Sequence, residues 1–317
     1  MESHASQQSV LKQIDDLWFL DGSLTLRAEN TVFRVYREVL AARSPVFRDM
    51  LSFPQPGSVS SAAEHVDGVP LVEMHDPAVE VEPFLRAIFD SAFFMPPPSK
   101  PYISDVVSIL RLSHKYDIQY LHRRALHHLA RLFPTTLEDY LDTLYRNSPD
   151  YGVLENVPDI HIRILKAVHE VNALWLLPVA YSRASIFPPS TLLSATPGDV
   201  EEIRATLSVA YDHRVRHIAT IVRFLALQIC TSKSPTCNSG RLSLIAVLMR
   251  IVSDGDKTFE PWAPWSWDDM PLVCAACVDS VREQHSDKIE KLWNELPAPF
   301  GLPAWDVLEA MRVEVME

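Results

Sequence analysis

The first polarity pattern along the chain lies between residues 17 and 36. Ser23 to Arg27 and Thr31 to Tyr36 each alternate polar and apolar side chains, the period that turns one face of a strand towards a core. Glu29-Asn30 between them reads as the turn of a hairpin. The period then changes to that of a helix in REVLAARS, with Val39, Leu40 and Ala42 on its apolar face. Ser44-Pro45 has the form of an N-cap followed by proline at the first helical position, and opens a short helix through VFRDML. Residues 52–69 are small and polar and read as a mobile loop, and PLVEMH at 70–75 as a third strand. Pro83 starts a helix carrying Phe84, Leu85, Ile88 and Phe89, and MPPPSKP at 95–101 is a stiff connector.

From there the patterning is helical. Ile103, Val106, Val107 and Leu110 form one apolar stripe, and Ile118, Leu121, Ala125, Leu129 and Leu132 another. Thr135 with Glu138 makes a capping-box pair for a further helix. No strand pattern of comparable quality follows residue 140. Residues 160–175 predict a helix with Ile160, Ile164, Val168 and Val171 on one side. Thr196-Pro197 with Asp199 opens a long helix burying Leu207, Tyr211, Val215, Ile218, Val222, Leu225 and Ile229. Shorter helices are expected at about 241–252, 275–296 and 304–315, with a loop at 253–273. There is no repeat of fixed period.

Composition narrows the classes. The 317 residues suggest about two domains, and 47% hydrophobic residues are enough for sizeable cores. No apolar run approaches the roughly 18–20 residues that cross a bilayer, so no membrane association is expected. The opening MESHASQQSVLKQ lacks the features of a secretory signal. The net charge of −12 disfavours nucleic acid, whose phosphates an acidic chain repels. The acidity is uneven: residues 1–135 hold 13 basic and 16 acidic side chains, the remainder 16 and 25. With 8 glycines against 24 prolines, Gly-rich phosphate loops are disfavoured.

The order of hairpin, helix pair, strand, helix and helix hairpin, with the words written in it, resembles a BTB/POZ domain. One word is Val39-Leu40-Ala41-Ala42-Arg43-Ser44-Pro45-Val46-Phe47, similar to the family's segment in which a strand leads into a Val-Leu helix and a Ser-Pro break. The other is Ile109 to Leu129, similar to the family's later helix pair, with Lys115-Tyr116 before the break. Tyr36 stands where many members carry histidine, and the Pro96–Pro98 loop is longer than usual. Both features resemble a fungal BTB group with a helical C-terminal half. The resemblance implies a flexible tail at 1–14, an α+β BTB/POZ domain at 15–135 (a small three-stranded or larger sheet capped by helices) and a mainly α-helical region at 136–317. It further implies a protein–protein interaction module that forms homodimers and recruits other proteins rather than an enzyme, with an adaptor of a cullin-type ubiquitin ligase as the alternative reading.

Candidate chemistry lies mostly in the C-terminal half. Cys230-x6-Cys237 and Cys274-x2-Cys277 are separated by 36 residues. Four thiolates close a tetrahedral zinc site and the CxxC half has the usual ligand spacing, while the other half is wider than a zinc knuckle; four ordinary buried thiols near helix ends are the plain reading. The expected compartment is the cytosol or nucleus, where structural disulfides are rare. His213 and His217 share a helix face, but Arg214 follows His213 where a metalloprotease motif needs glutamate. His127-His128 read as surface or core-edge residues. Asp254, Asp256, Thr258 and Glu260 read as a polar turn rather than a calcium loop. Trp262, Trp265 and Trp267 plug a loop onto a core or form a partner site. No nucleophile elbow, phosphate-binding loop or dinucleotide fingerprint occurs, so no catalytic residue is assigned.

Overall fold

A computed structural model describes residues 11–52, 65–145, 157–195, 201–227, 229–230, 234–254 and 272–316. The chain divides into two compact units, Met1–His128 and Leu129–Glu317.

The first unit is built on the hairpin of β2 (Leu24–Ala28) and β3 (Thr31–Val35), antiparallel with Leu26 opposite Phe33. Glu29 turns it with a φ of 52°, in the left-handed region. β5 (Val69–Met74) runs parallel to β2 on its other side. β2 is therefore flanked twice and buries Leu24, Thr25, Leu26 and Ala28 together, as strands covered on both faces do. β1 (Lys12–Trp18) pairs parallel with β3 across an irregular register, and begins inside the stretch expected to be a polar tail. Its buried Ile14 and Leu17 are three positions apart, so the strand has no alternation to read. β4 (His65–Val66) folds back on β5 through Asp67-Gly68, both at positive φ, inside the expected loop; residues 53–64 lie outside those described. The sheet is thus five-stranded, in the order β1-β3-β2-β5-β4.

Helices pack beside this sheet. α1 (Arg37–Arg43) and α2 (Pro45–Ser52) break at Ser44, as the Ser-Pro pair predicts. The Ser44 hydroxyl accepts from the Phe47 amide at 3.0 Å and donates to the Tyr116 carbonyl at 2.5 Å. α3 (Ala78–Phe89) starts five residues before Pro83, which sits within it. A proline there gives up the helical bond to the Val79 carbonyl, and its ring crowds that carbonyl. α4 (Ile103–Lys115) and α5 (Gln119–Leu132) meet at a turn in which Asp117 takes a φ of 52°. Their expected stripes are buried throughout. The buried Asp76 carboxylate accepts from Tyr116 Oη and Lys115 Nζ, both at 2.6 Å, and fixes this turn. His128 is buried and donates to the Met95 carbonyl at 2.9 Å, while His127 is exposed.

Every regular element among the described residues of the second unit is a helix. It contains α6 (Leu137–Tyr145), α7 (Pro158–Glu170), a 3-10 turn (Leu174–Leu176), α8 (Leu177–Ala184) and α9 (Pro189–Ala195). α10 (Glu201–Leu227), α11 (Cys237–Asp254), α12 (Ala275–Glu295) and α13 (Trp305–Met316) follow. α6 is capped one residue later than expected: Thr136 Oγ1 accepts the Asp139 amide at 3.1 Å, while Thr135 donates to Glu309 at 2.8 Å. The helix expected over 160–175 stops at Glu170, because Asn172 enters a φ of 55°. α10 buries Leu207, Ile218 and Leu225 as expected, but Ile229 lies past its end and is 82% exposed. The Thr196-Pro197-Asp199 start falls outside the described residues. Ile218, Ile221 and Leu225 of α10 pack with Leu248 of α11 and with Val278 and Val281 of α12 into one core. Among the described residues no helix is long and apolar enough to cross a membrane.

Candidate metal centre

At one end of the α10–α11–α12 core all four cysteines meet. Cys230 follows the C-terminus of α10. Cys237 is the first residue of α11, Cys274 is the N-cap of α12 and Cys277 lies in its first turn. Their sulfurs all lie within 4.8 Å of one another. Cys230 to Cys274 is 3.7 Å and Cys237 to Cys274 is 3.6 Å. The thiols are not joined as disulfides; Cys237 and Cys277 are buried, Cys230 and Cys274 half-buried. The spacing that looked too wide for a knuckle therefore closes, because its two halves come from different helix ends. The four cysteines stand at metal-binding distance.

Local physics explains the convergence. The Cys274 amide donates to Cys237 Sγ at 3.5 Å. α11 and α12 both direct N-terminal ends at the cluster, where unsatisfied amides and the positive end of the helix dipole favour thiolate. Burial, with the neighbouring thiols adding to it, pushes the Cys277 thiol up to about 12, and burial likewise raises Cys237. Arg241, one turn along α11, donates to the Leu225 carbonyl in the last turn of α10 and to Asn238 Oδ1, both at 3.1 Å. This clamps the end of α10 to the start of α11.

Gly240 permits the close approach. A Cβ there would stand 2.9 Å from the Leu272 carbonyl carbon and 3.0 Å from its Cβ, two residues before Cys274. In a free helix Gly→Ala stabilises by about 1 kcal/mol. Here Gly240→Ala is expected to destabilise the helical unit by ~1–3 kcal/mol, because backbone must move. Thermal denaturation checks it, and a raised midpoint would remove the close-approach argument.

The other candidates do not assemble into sites. His217 stands beside His285, with ring centroids 6.5 Å apart, and His213 faces the Phe300 ring; among the described residues neither belongs to a cluster of three or more metal-ligating side chains. Asp256, Thr258, Glu260, Trp262, Trp265 and Trp267 lie outside the described residues, as does the Asp254 side chain. Sequence reading missed a cleft of about 770 Å³ floored by Leu137, Leu141, Ile289, Trp293 and Trp305. Trp293 and Trp305 stack at 5.3 Å, and the Trp305 indole N–H donates to the Trp293 carbonyl at 2.7 Å. The lining comes from three helices far apart in sequence, which no local pattern links.

Taken by itself, the first unit is an α+β domain: a small mixed sheet with the α1–α2 and α4–α5 helix pairs. Residues 19–132 match the family model of the BTB/POZ domain, and the chain is a BTB/POZ domain-containing protein. The matched span holds both sequence words, Val39–Phe47 and Ile109–Leu129, and marks the unit as a protein–protein interaction module. Comparison with curated proteins and with solved structures gave no match.

Proposed function

We propose that the protein works by association rather than catalysis: its BTB unit pairs with a second copy, and its helical unit binds the protein to be recruited. The match over residues 19–132 is the observation that carries this reading. Leu20, Val79 and Tyr102 on the first unit are 84%, 69% and 75% exposed, and the Trp293–Trp305 cleft gives the second unit apolar surface of its own. The expected result is a particle of about twice 35.9 kDa by size-exclusion chromatography with light scattering at micromolar concentration. A clean monomer would count against BTB-mediated pairing. The adaptor form of this reading requires a cullin to co-purify with the tagged chain. We place the protein in the cytosol or nucleus, where its four thiols stay reduced.

A second reading, a zinc-stabilised regulatory scaffold, is favoured by the cysteine cluster. The two are compatible, since a helical unit held rigid presents its partner surface with less ordering cost.

A further inference from the structure

We infer that Cys230, Cys237, Cys274 and Cys277 hold one zinc ion as a closed four-thiolate centre, and that this ion assembles the α10–α11–α12 core. Zinc bound to thiolates at about 2.3 Å in a tetrahedron separates its sulfurs by about 3.8 Å. Two of the separations, 3.6 and 3.7 Å, lie close to that edge length, and all four sulfurs lie within 4.8 Å of one another. They are far from the roughly 2.05 Å of a disulfide. Thiols are weak donors and acceptors, so mutual hydrogen bonding is a poor reason for three separate chain segments to aim four sulfurs at one point. Soft thiolates select zinc over calcium or magnesium. All four positions are filled by protein, which leaves no place for a reacting water and makes the centre structural. On binding, each cysteine gives its proton to solvent as its sulfur–metal bond forms; four protons leave and no electron moves.

The surroundings suit the charge. A divalent ion with four thiolates carries a net charge of −2, and it faces the N-termini of an 18-residue and a 21-residue helix. The Cys274 amide donates to a ligand sulfur, and Arg241 brings a positive charge within one turn of Cys237. The assembly role follows from where the described side chains of α11 lie. Leu248 is its one fully buried aliphatic side chain among the described residues, with Leu244 and Ile245 partly covered, while Leu242, Val247 and Met249 are 57%, 44% and 53% exposed. The ligands bracket this helix: two lie at or before its start and two lie beyond its end, so one ion ties down both sides.

This goes beyond the pairing reading and stands apart from it, since a zinc-loaded monomer or a zinc-free dimer would separate the two. The test is elemental analysis of the full chain purified without chelators from zinc-containing medium. About one zinc per chain is expected, falling below about 0.2 in Cys237→Ser and Cys277→Ser. Because these variants can fail to fold, the wild-type chain is also reconstituted with cobalt. It should give thiolate-to-metal charge-transfer bands and the d–d bands of tetrahedral coordination, lost on adding one equivalent of zinc. Folded, soluble wild-type protein with below about 0.2 zinc, with iron in its place, or with a disulfide among the four cysteines would overturn the assignment. Stripping the metal should lower helical circular dichroism and the melting midpoint; stripping without either change would overturn the assembly role.

Discussion

Phe47→Ala is expected to destabilise the BTB unit by ~3–5 kcal/mol, the range for removing a buried aromatic ring whose site does not collapse. Phe47 is fully buried, and its ring stacks on Tyr116 at 4.5 Å and 10°. Tyr116 in turn lies 5.6 Å from the Phe84 ring, so α2, α3 and the α4–α5 turn meet around this residue. Collapse is resisted because Tyr116 is held twice: its hydroxyl donates to Asp76 and its carbonyl accepts from Ser44. The melting midpoint of the unit should fall by about 10–20 °C. Val46→Ala is the control: Val46 belongs to the same sequence word but is 39% exposed, and its loss should stay within about 1 kcal/mol. A Phe47→Ala cost as small as the control's would mean that the Phe47 ring does not anchor the core of this unit. Since pairing is proposed to run through this unit, Phe47→Ala should also reduce the dimer fraction.

The parts legible in the sequence are those whose cause is local. The β2–β3 hairpin, the Ser44 break and the stripes of α4 and α5 follow from periodicity and capping chemistry within one segment. β1 was not legible because its core contacts repeat every third residue instead of every second. The cap of α6 shows a degeneracy that only tertiary contact resolves. Thr135/Glu138 and Thr136/Asp139 are both capping pairs by spacing, and Thr136 takes the role because Thr135 is engaged by Glu309, far along the chain. The cysteine centre is an intermediate case. The residue types and the CxxC half were readable, but the closing of the Cys230–Cys237 half onto it depends on Gly240 and Arg241, whose roles exist only once α11 lies against α10 and residue 272.

The helical unit is expected to weaken in mild acid, with His217 as a principal cause. His217 is 3% exposed, and burial, followed by the positive fields of His285, His213, Arg214 and Lys288, pushes its pKa down to about 3 from an ordinary 6.5. In the fold it is neutral, whereas in the unfolded chain it takes up a proton below pH 6.5. The unfolded state therefore binds more protons, and the stability His217 contributes is complete above pH 6.5 and is lost progressively as the pH falls from 6.5 towards 3. At about 1.4 kcal/mol per pH unit the loss reaches about 2 kcal/mol by pH 5. His213 is shifted the same way, chiefly by burial, with Asp212 and Glu295 opposing and Arg216 adding to the effect. Acid also protonates thiolates and releases bound metal, so the informative quantity is a difference. Wild type and His217→Leu share the cysteines, and denaturant melts between pH 7.5 and 4.5 should show a pH slope shallower by about one proton in the variant. Equal slopes would mean that His217 is already protonated in the fold, and that the packing of α10 against α12 tolerates a charge at this position.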